Sequence, residues 1–190
     1  MGLVVAYRGD LRSLTPGTAA SLALTAVPAA LAGAVAQDSV EQRLGGPRST
    51  AAFLAAGGVV LWACDRRPQV RGVGAREAAL AAFVQVLALA PGVSRSGATL
   101  SALRAMGVRR QEAVRFSTLM SLPISAGAAA LTVARARKPP AALPTVVSGV
   151  TALATARALS GGSRRVLSGA ALYRLVVATL VVIRLRRESR

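Results

Sequence analysis

The sequence has no histidine and only 7 Asp+Glu among its 190 residues. The first absence removes the commonest general base and the commonest metal ligand. The lone cysteine, Cys64, excludes an internal disulfide and reads as a small hydrophobe near a helix end. Aromatic residues are 3% of the chain, too few to build stacking platforms for single-stranded nucleic acid.

What the chain does have is apolar mass and positive charge. The hydrophobic class makes up 53%, and 24 Lys+Arg give a formal charge of +17. In a soluble module that charge would point to nucleic acid. Here the basic residues punctuate apolar runs, as loop charges do in a membrane protein. We therefore expect a membrane and no nucleic-acid partner.

Runs near 14–36, 50–64, 112–134, 141–159 and 166–183 are expected to span a bilayer. Charged or Gly/Pro-rich breaks at "QDSVEQRLGGPRS", "DRRPQVRGVGAR", "RARKPP" and "SGGSRR" read as loops. Pro28 and Pro123 fall inside spans, where membrane helices tolerate them. The expected fold class is an all-α polytopic membrane protein, with residues 1–190 forming a single integral membrane domain.

Residues 75–106 depart from this pattern. An apolar, helix-prone stretch from Ala75 to Ala90 meets the polar knot "PGVSRSG", and a second short helix is expected from Ala98 to Met106. About nine residues at 1.5 Å each reach ~14 Å, half of a ~30 Å hydrocarbon core. The expectation is a re-entrant helix hairpin with the knot at its turn. Irregular backbone at that depth must be buried in protein or line a wet cavity, and an arginine there marks a functional site.

The knot suits a phosphate. Gly92 and Gly97 allow close backbone approach. Gly97 and Ala98 would open a helix whose amides favour an anion. Arg95 offers a planar fork of donors, and Ser94, Ser96 and Thr99 offer hydroxyls. The competing reading is structural: the serines cap a helix, and Arg95 snorkels to the surface.

The stretch "QVLALAPGVSRSGATLSALRAMGVRRQEAVRFSTLMSLPISAGAAAL" resembles the second signature region of the bacitracin-resistance family. "TAVPAALAG" and "GAALYRLVV" resemble flanking parts of the same family, the latter its C-terminal Tyr-Arg pair, so the resemblance covers nearly the whole chain in order. The family comprises undecaprenyl-diphosphate phosphatases of bacterial membranes. The resemblance implies a multi-pass protein of the bacterial plasma membrane, a helical bundle built as an inverted repeat. It also implies undecaprenyl diphosphate as substrate and a divalent cation, Mg or Ca, as cofactor. On that template Arg95, Ser94 and Thr99 would be catalytic. Gly92, Ser96 and Gly97 would bind substrate.

One family feature is missing. The first signature, rich in glutamate and ending in Ser-Ser-Thr-Gly-His, has no counterpart here, so no metal ligands are identifiable. Glu77 reads as part of a basic loop ahead of the first short helix. Glu112 reads as an acid favouring a helix N-terminus. Three expectations follow. The chain is a fragment, with an upstream segment holding the other half-site. Or a second chain supplies that half-site. Or the chain binds polyprenyl phosphates without hydrolysis. A flippase-like membrane protein is the alternative of another class.

Overall fold

A computed structural model describes residues 15–68, 70–135 and 164–188. Their regular structure is helical: α1 (Pro16–Leu44), α2 (Pro47–Asp65), α3 (Ala75–Val84), a 3-10 turn (Gln85–Leu89), α4 (Arg95–Ala105), α5 (Arg110–Arg135) and α6 (Arg164–Glu188). Among the described residues the only β-type pairing is an isolated parallel bridge between Arg71 and Val108.

Local chemistry sets the ends. Proline opens both α1 and α2, where its missing N–H costs nothing. The adjacent Gly45 and Gly46 separate these two helices. The expected break at "QDSVEQRLGGPRS" is therefore narrower than its composition suggested. Gln37 to Leu44 continue α1, because they contain no Gly or Pro to break it, Gln, Glu, Arg and Leu favour helix, and their charged side chains stay exposed. Pro28 and Pro123 lie inside α1 and α5.

The expected spans at 14–36 and 166–183 fall largely within α1 and α6. These two helices carry stretches, Ala19–Leu44 and Leu167–Arg187, long and apolar enough to cross a membrane. The runs at 50–64 and 112–134 coincide with α2 and α5, and the run at 141–159 lies outside the described residues.

Residues 75–106 are not one helix. α3 and α4 are 10 and 11 residues long and pack against each other. The base of this pair is clasped: Arg71 N–H donates to Gly107 O (3.1 Å) and Arg109 N–H donates to Arg71 O (3.0 Å). Gly107 makes the turn possible with φ +80°.

α2 packs most extensively on α6, and α4 lies against α2, α3 and α5. The α2–α6 contact is close because Gly58 has no side chain. A Cβ there would come within 3.0 Å of Ala171 O, the kind of approach small residues permit between membrane helices. Leu61, Ala81, Leu103, Val108, Ala113 and Met120 form the core. Large apolar side chains also face outward, including Val35 (86% exposed) and Phe83 (67%). A water-soluble monomer seldom presents so much apolar surface.

A buried ionic junction fixes the corner where α2 ends, α4 ends and α5 begins. Arg104 is 0% exposed and Asp65 4%. Arg104 Nε donates to Asp65 Oδ1 (3.1 Å), and its other nitrogens donate to the carbonyls of Asp65, Arg67 and Val108. Arg110 Nε reaches the same Oδ1 at 2.7 Å. Removing one partner from a buried, hydrogen-bonded pair costs about 3–5 kcal/mol, whereas an exposed pair contributes about 1 kcal/mol or less. Asp65→Ala should therefore sharply lower the unfolding midpoint of the detergent-solubilised protein. Glu112→Ala, which breaks the exposed pair with Arg109, should barely move it.

Candidate functional site

The knot lies between the 3-10 turn and α4. The 3-10 turn ends at Ala90 in extended backbone, and Pro91 and Gly92 turn the chain. Gly92 has φ +93°, and a Cβ there would collide with Thr50 O at the start of α2. The turn thus rests directly on backbone of another helix.

α4 starts at Arg95, three residues earlier than its composition suggested, because Ser94 is the N-cap. Its Oγ accepts from Gly97 N–H (3.3 Å), a standard way to satisfy an orphan donor. Gly97 is therefore an interior residue of the first turn and does not open the helix. Ser96 Oγ lies 3.3 Å from Ser94 Oγ, and the Ser96 side chain is exposed.

Arg174 of α6 joins this group, although it is distant in sequence. Its Nη2 donates to Ser94 Oγ (2.9 Å). Its guanidinium covers the face of Gly97, where a Cβ would strike it. The signal for Arg174 was a lone arginine inside the apolar run "GAALYRLVVATL". The rule that marked Arg95, that an arginine at membrane depth is functional, applies equally to it.

Arg95 is half-buried, and among the described residues its guanidinium has no hydrogen-bond or ion-pair partner. It lines a cavity of about 820 Å³ together with Gln37, Asp38 and Gln85. Gln85 is 1% exposed; its Nε2 donates to Thr25 O, while its Oε1 has no partner among the described residues. Ser94, Gly97 and Arg174 line a second cavity, of about 410 Å³, with Gly92 also on its wall. The N-terminus of α4 therefore sits between two cavities, with one guanidinium on each.

Thr99 is placed differently from the other candidates. It is 1% exposed, its Oγ1 donates to Arg95 O or Ser96 O, and it bonds Ser117 Oγ on α5 (2.6 Å). It lines neither cavity and ties α4 to α5.

The first turn of α4 contains no acidic residue. Helix dipole, Arg95 and Arg174 all favour an anion there, and the hydroxyls of Ser94 and Ser96 add neutral donors. Apart from Asp38 on the wall of the Arg95 cavity, the carboxylates between the start of α2 and the first turn of α5 are committed elsewhere. Glu77 is not in a loop, as its basic surroundings had suggested; it sits buried in the first turn of α3, and its Oε2 accepts from Gly74 N–H (3.0 Å). That is the capping role a glutamate takes three residues into a helix. Glu112 lies in the first turn of α5 and pairs with Arg109. Asp65 is held by two arginines. Among the described residues no three His, Cys, Asp or Glu side chains form a group that could hold a metal ion.

Compared with known protein families, residues 5–180 match the family model described as Bacitracin resistance protein BacA.

The two glycines of the knot should respond oppositely to substitution. Gly92→Ala meets fixed backbone at a positive φ and should destabilise the protein by about 1–3 kcal/mol. Gly97→Ala meets only the end of a flexible arginine and gains helix propensity, so stability should change by about 1 kcal/mol or less. Unfolding midpoints of the two variants in detergent check this.

Proposed function

The chain belongs to the bacitracin resistance protein BacA family, membrane proteins for which undecaprenyl-diphosphate phosphatase activity is implied, and on that premise we propose that it grips the diphosphate of undecaprenyl diphosphate at the start of α4. The observation that carries this is Arg95: a half-buried guanidinium with no partner among the described residues, beside a hydroxyl-capped helix N-terminus free of carboxylates. Such a group takes an anion, and its fork suits phosphate oxygens.

The proposed setting is the bacterial plasma membrane, crossed several times, with α3 and α4 as a re-entrant hairpin inside an inverted-repeat bundle. Helices of 10 and 11 residues rise ~15–17 Å, too short to span. The clasp between residues 71 and 107–109 brings both ends of the pair to one place.

In this reading Arg95 binds non-bridging oxygens of the terminal phosphate and offsets charge that builds as the anhydride bond breaks. Arg174, held on Ser94, lies on the opposite side of the turn. The Ser94 oxygen already accepts two hydrogen bonds, so its role is to shape the turn. Ser96 presents the exposed hydroxyl. Gly92 and Gly97 set the fit of the turn against α2 and α6, and Thr99 holds α4 on α5 from behind.

Water attack on the phosphoryl group also needs a base. The chain has no histidine; Asp65, Glu77 and Glu112 are engaged, and Asp38, on the wall of the Arg95 cavity, is the carboxylate nearest in place to that role. The family implies a divalent cation, Mg or Ca, but the described residues do not fit one. No step here runs through it. A second chain or a further segment would bring the base and the cation ligands. A non-catalytic role in binding polyprenyl phosphates is the second reading, favoured by the same engaged carboxylates.

Two measurements test this. Arg95→Ala should weaken binding of undecaprenyl diphosphate about 30-fold or more, the equivalent of ~2–5 kcal/mol for a buried charged contact. Arg109→Ala, at an exposed loop position, should change it about twofold or less. Equal losses would remove Arg95 from the site. The 190-residue chain alone, with Mg²⁺ or Ca²⁺ added, should release phosphate at background rate. Co-expression with a segment bearing the Glu-rich, Ser-Ser-Thr-Gly-His signature should restore turnover in an Arg95-dependent way. Rapid release by the chain alone would place the base among its own residues.

A further inference from the structure

The seam between α2 and α6 carries a groove of its own. It holds about 320 Å³ and runs between Val59 and Trp62 of α2 and Ser168, Ala171, Leu172 and Leu175 of α6. It shares no residue with either cavity beside α4. From Ser168 to Leu175 it follows α6 for ~10 Å. Val59, Trp62 and Arg66 recur at helical spacing and share one face; Arg66 keeps helical backbone (φ −77°, ψ −13°) just past the end of α2. Its guanidinium lies over the Trp62 ring, 3.6 Å from the centroid. Across the groove, Ser168 is the second residue of the apolar stretch Leu167–Arg187. The groove therefore begins where that stretch begins, and Trp62 stands at the level where tryptophan anchors a helix at the membrane interface.

The charges around this end of α2 lack an internal balance. Asp65 is held by two arginines, Glu77 caps α3, and Glu112 pairs with Arg109. Arg66, Arg67, Arg71 and Arg76 are exposed and form no ion pair among the described residues. Of these four, Arg66 is the one stacked on a ring. The stack uses the face of the guanidinium and leaves its N–H edge pointing outward, already oriented for an anion. We infer that this corner binds an anionic phospholipid of the bilayer, with its phosphate on the edge of Arg66, Arg67 next to it, and one acyl chain in the groove. The occupant follows from charge complementarity: cations without an internal counter-charge head an apolar channel at interface level. A zwitterionic lipid would bring its own ammonium group to those cations, so the corner favours a headgroup such as phosphatidylglycerol. The site is independent of the anion reading at the knot.

Trp62 is the chain's only tryptophan and serves as the reporter. The full chain is placed in phosphatidylcholine bilayers that contain a small fraction of either phosphatidylglycerol or phosphatidylcholine brominated on the acyl chain near the headgroup. Fractional quenching of Trp62 then gives the relative affinity of the two lipids. The native protein should favour phosphatidylglycerol about tenfold or more, since each arginine near the headgroup contributes about fivefold. Arg66→Gln, which alters an exposed side chain, should cut that preference about fivefold. Arg48→Gln, exposed at the opposite end of α2, should leave it within about twofold, because solvent screens a charge at that distance. Equal quenching of the native protein by both lipids overturns the proposal, and so does a preference that survives Arg66→Gln. Equal losses in Arg66→Gln and Arg76→Gln would show a diffuse attraction to the surface in place of a site, and overturn it too. Soluble glycerol phosphate, the headgroup without chains, should not relieve the quenching by brominated phosphatidylglycerol. If it does, the groove has no part in binding and the proposal falls. Relief by farnesyl diphosphate would give the groove to an isoprenoid and overturn the assignment to bilayer lipid.

Discussion

The carboxylate of Asp65 sits between two guanidiniums, and the geometry of the candidate site hangs from it. Arg104 closes the C-terminal end of α4, Arg110 opens α5, and Asp65 ends α2. Three helix ends are thereby fixed to one another at a buried point. Four of the contacts go to backbone carbonyls that would otherwise be orphans at a helix end or in a turn. With its C-terminal end anchored, α4 presents its N-terminus, with Ser94 and Arg95, at a set place against α2, α5 and α6. A site built on a pinned helix needs little rearrangement to hold an anion.

Parts of this were legible in the sequence. The polar knot broke an apolar run, and the structure breaks there too, with Arg95 beside a cavity. Composition puts the start of α4 at Ala98, three residues late, because the helix takes its cap from Ser94, the first of the knot's two serines, and runs through the polar residues that follow. Glu77 was read from its basic neighbours, but its place three residues after Gly74 decided its partner. Arg104 and Asp65 stayed hidden for a physical reason. Asp65 stands next to Arg66 and Arg67 at the end of an apolar stretch, and Arg104 near the end of a short helix, places where charge ordinarily means solvent. Only the meeting of chain segments 39 residues apart makes them a buried pair. Arg174 was hidden differently: the hydroxyl it approaches is 80 residues away.

The α4 N-terminus keeps its two arginines apart. Arg95 faces a mostly apolar cavity that also presents Gln37, Asp38 and Gln85, and Arg174 faces one whose walls are almost wholly apolar. Two cations beside one helix dipole repel each other and the dipole unless an anion intervenes. Arg174 is steadied by Ser94, and Arg95 has no such contact among the described residues. The arrangement therefore stores an electrostatic imbalance that a phosphate would relieve. The first turn of α4 holds no carboxylate, and the one on the wall of the Arg95 cavity is Asp38 of α1.

The clasp at the base of α3 and α4 has a consequence for topology. The chain leaves α2, runs through α3, the knot and α4, and returns to within hydrogen-bonding distance of where it left, at Arg71, Gly107 and Arg109. Arg110 then binds the last residue of α2. Measured by parity, the excursion counts as zero: α2 and α5 meet end to start as if joined by a tight turn. Lengthening or shortening the α3–α4 finger would change how deep it reaches. It would not change which side of a boundary α5 sets out from.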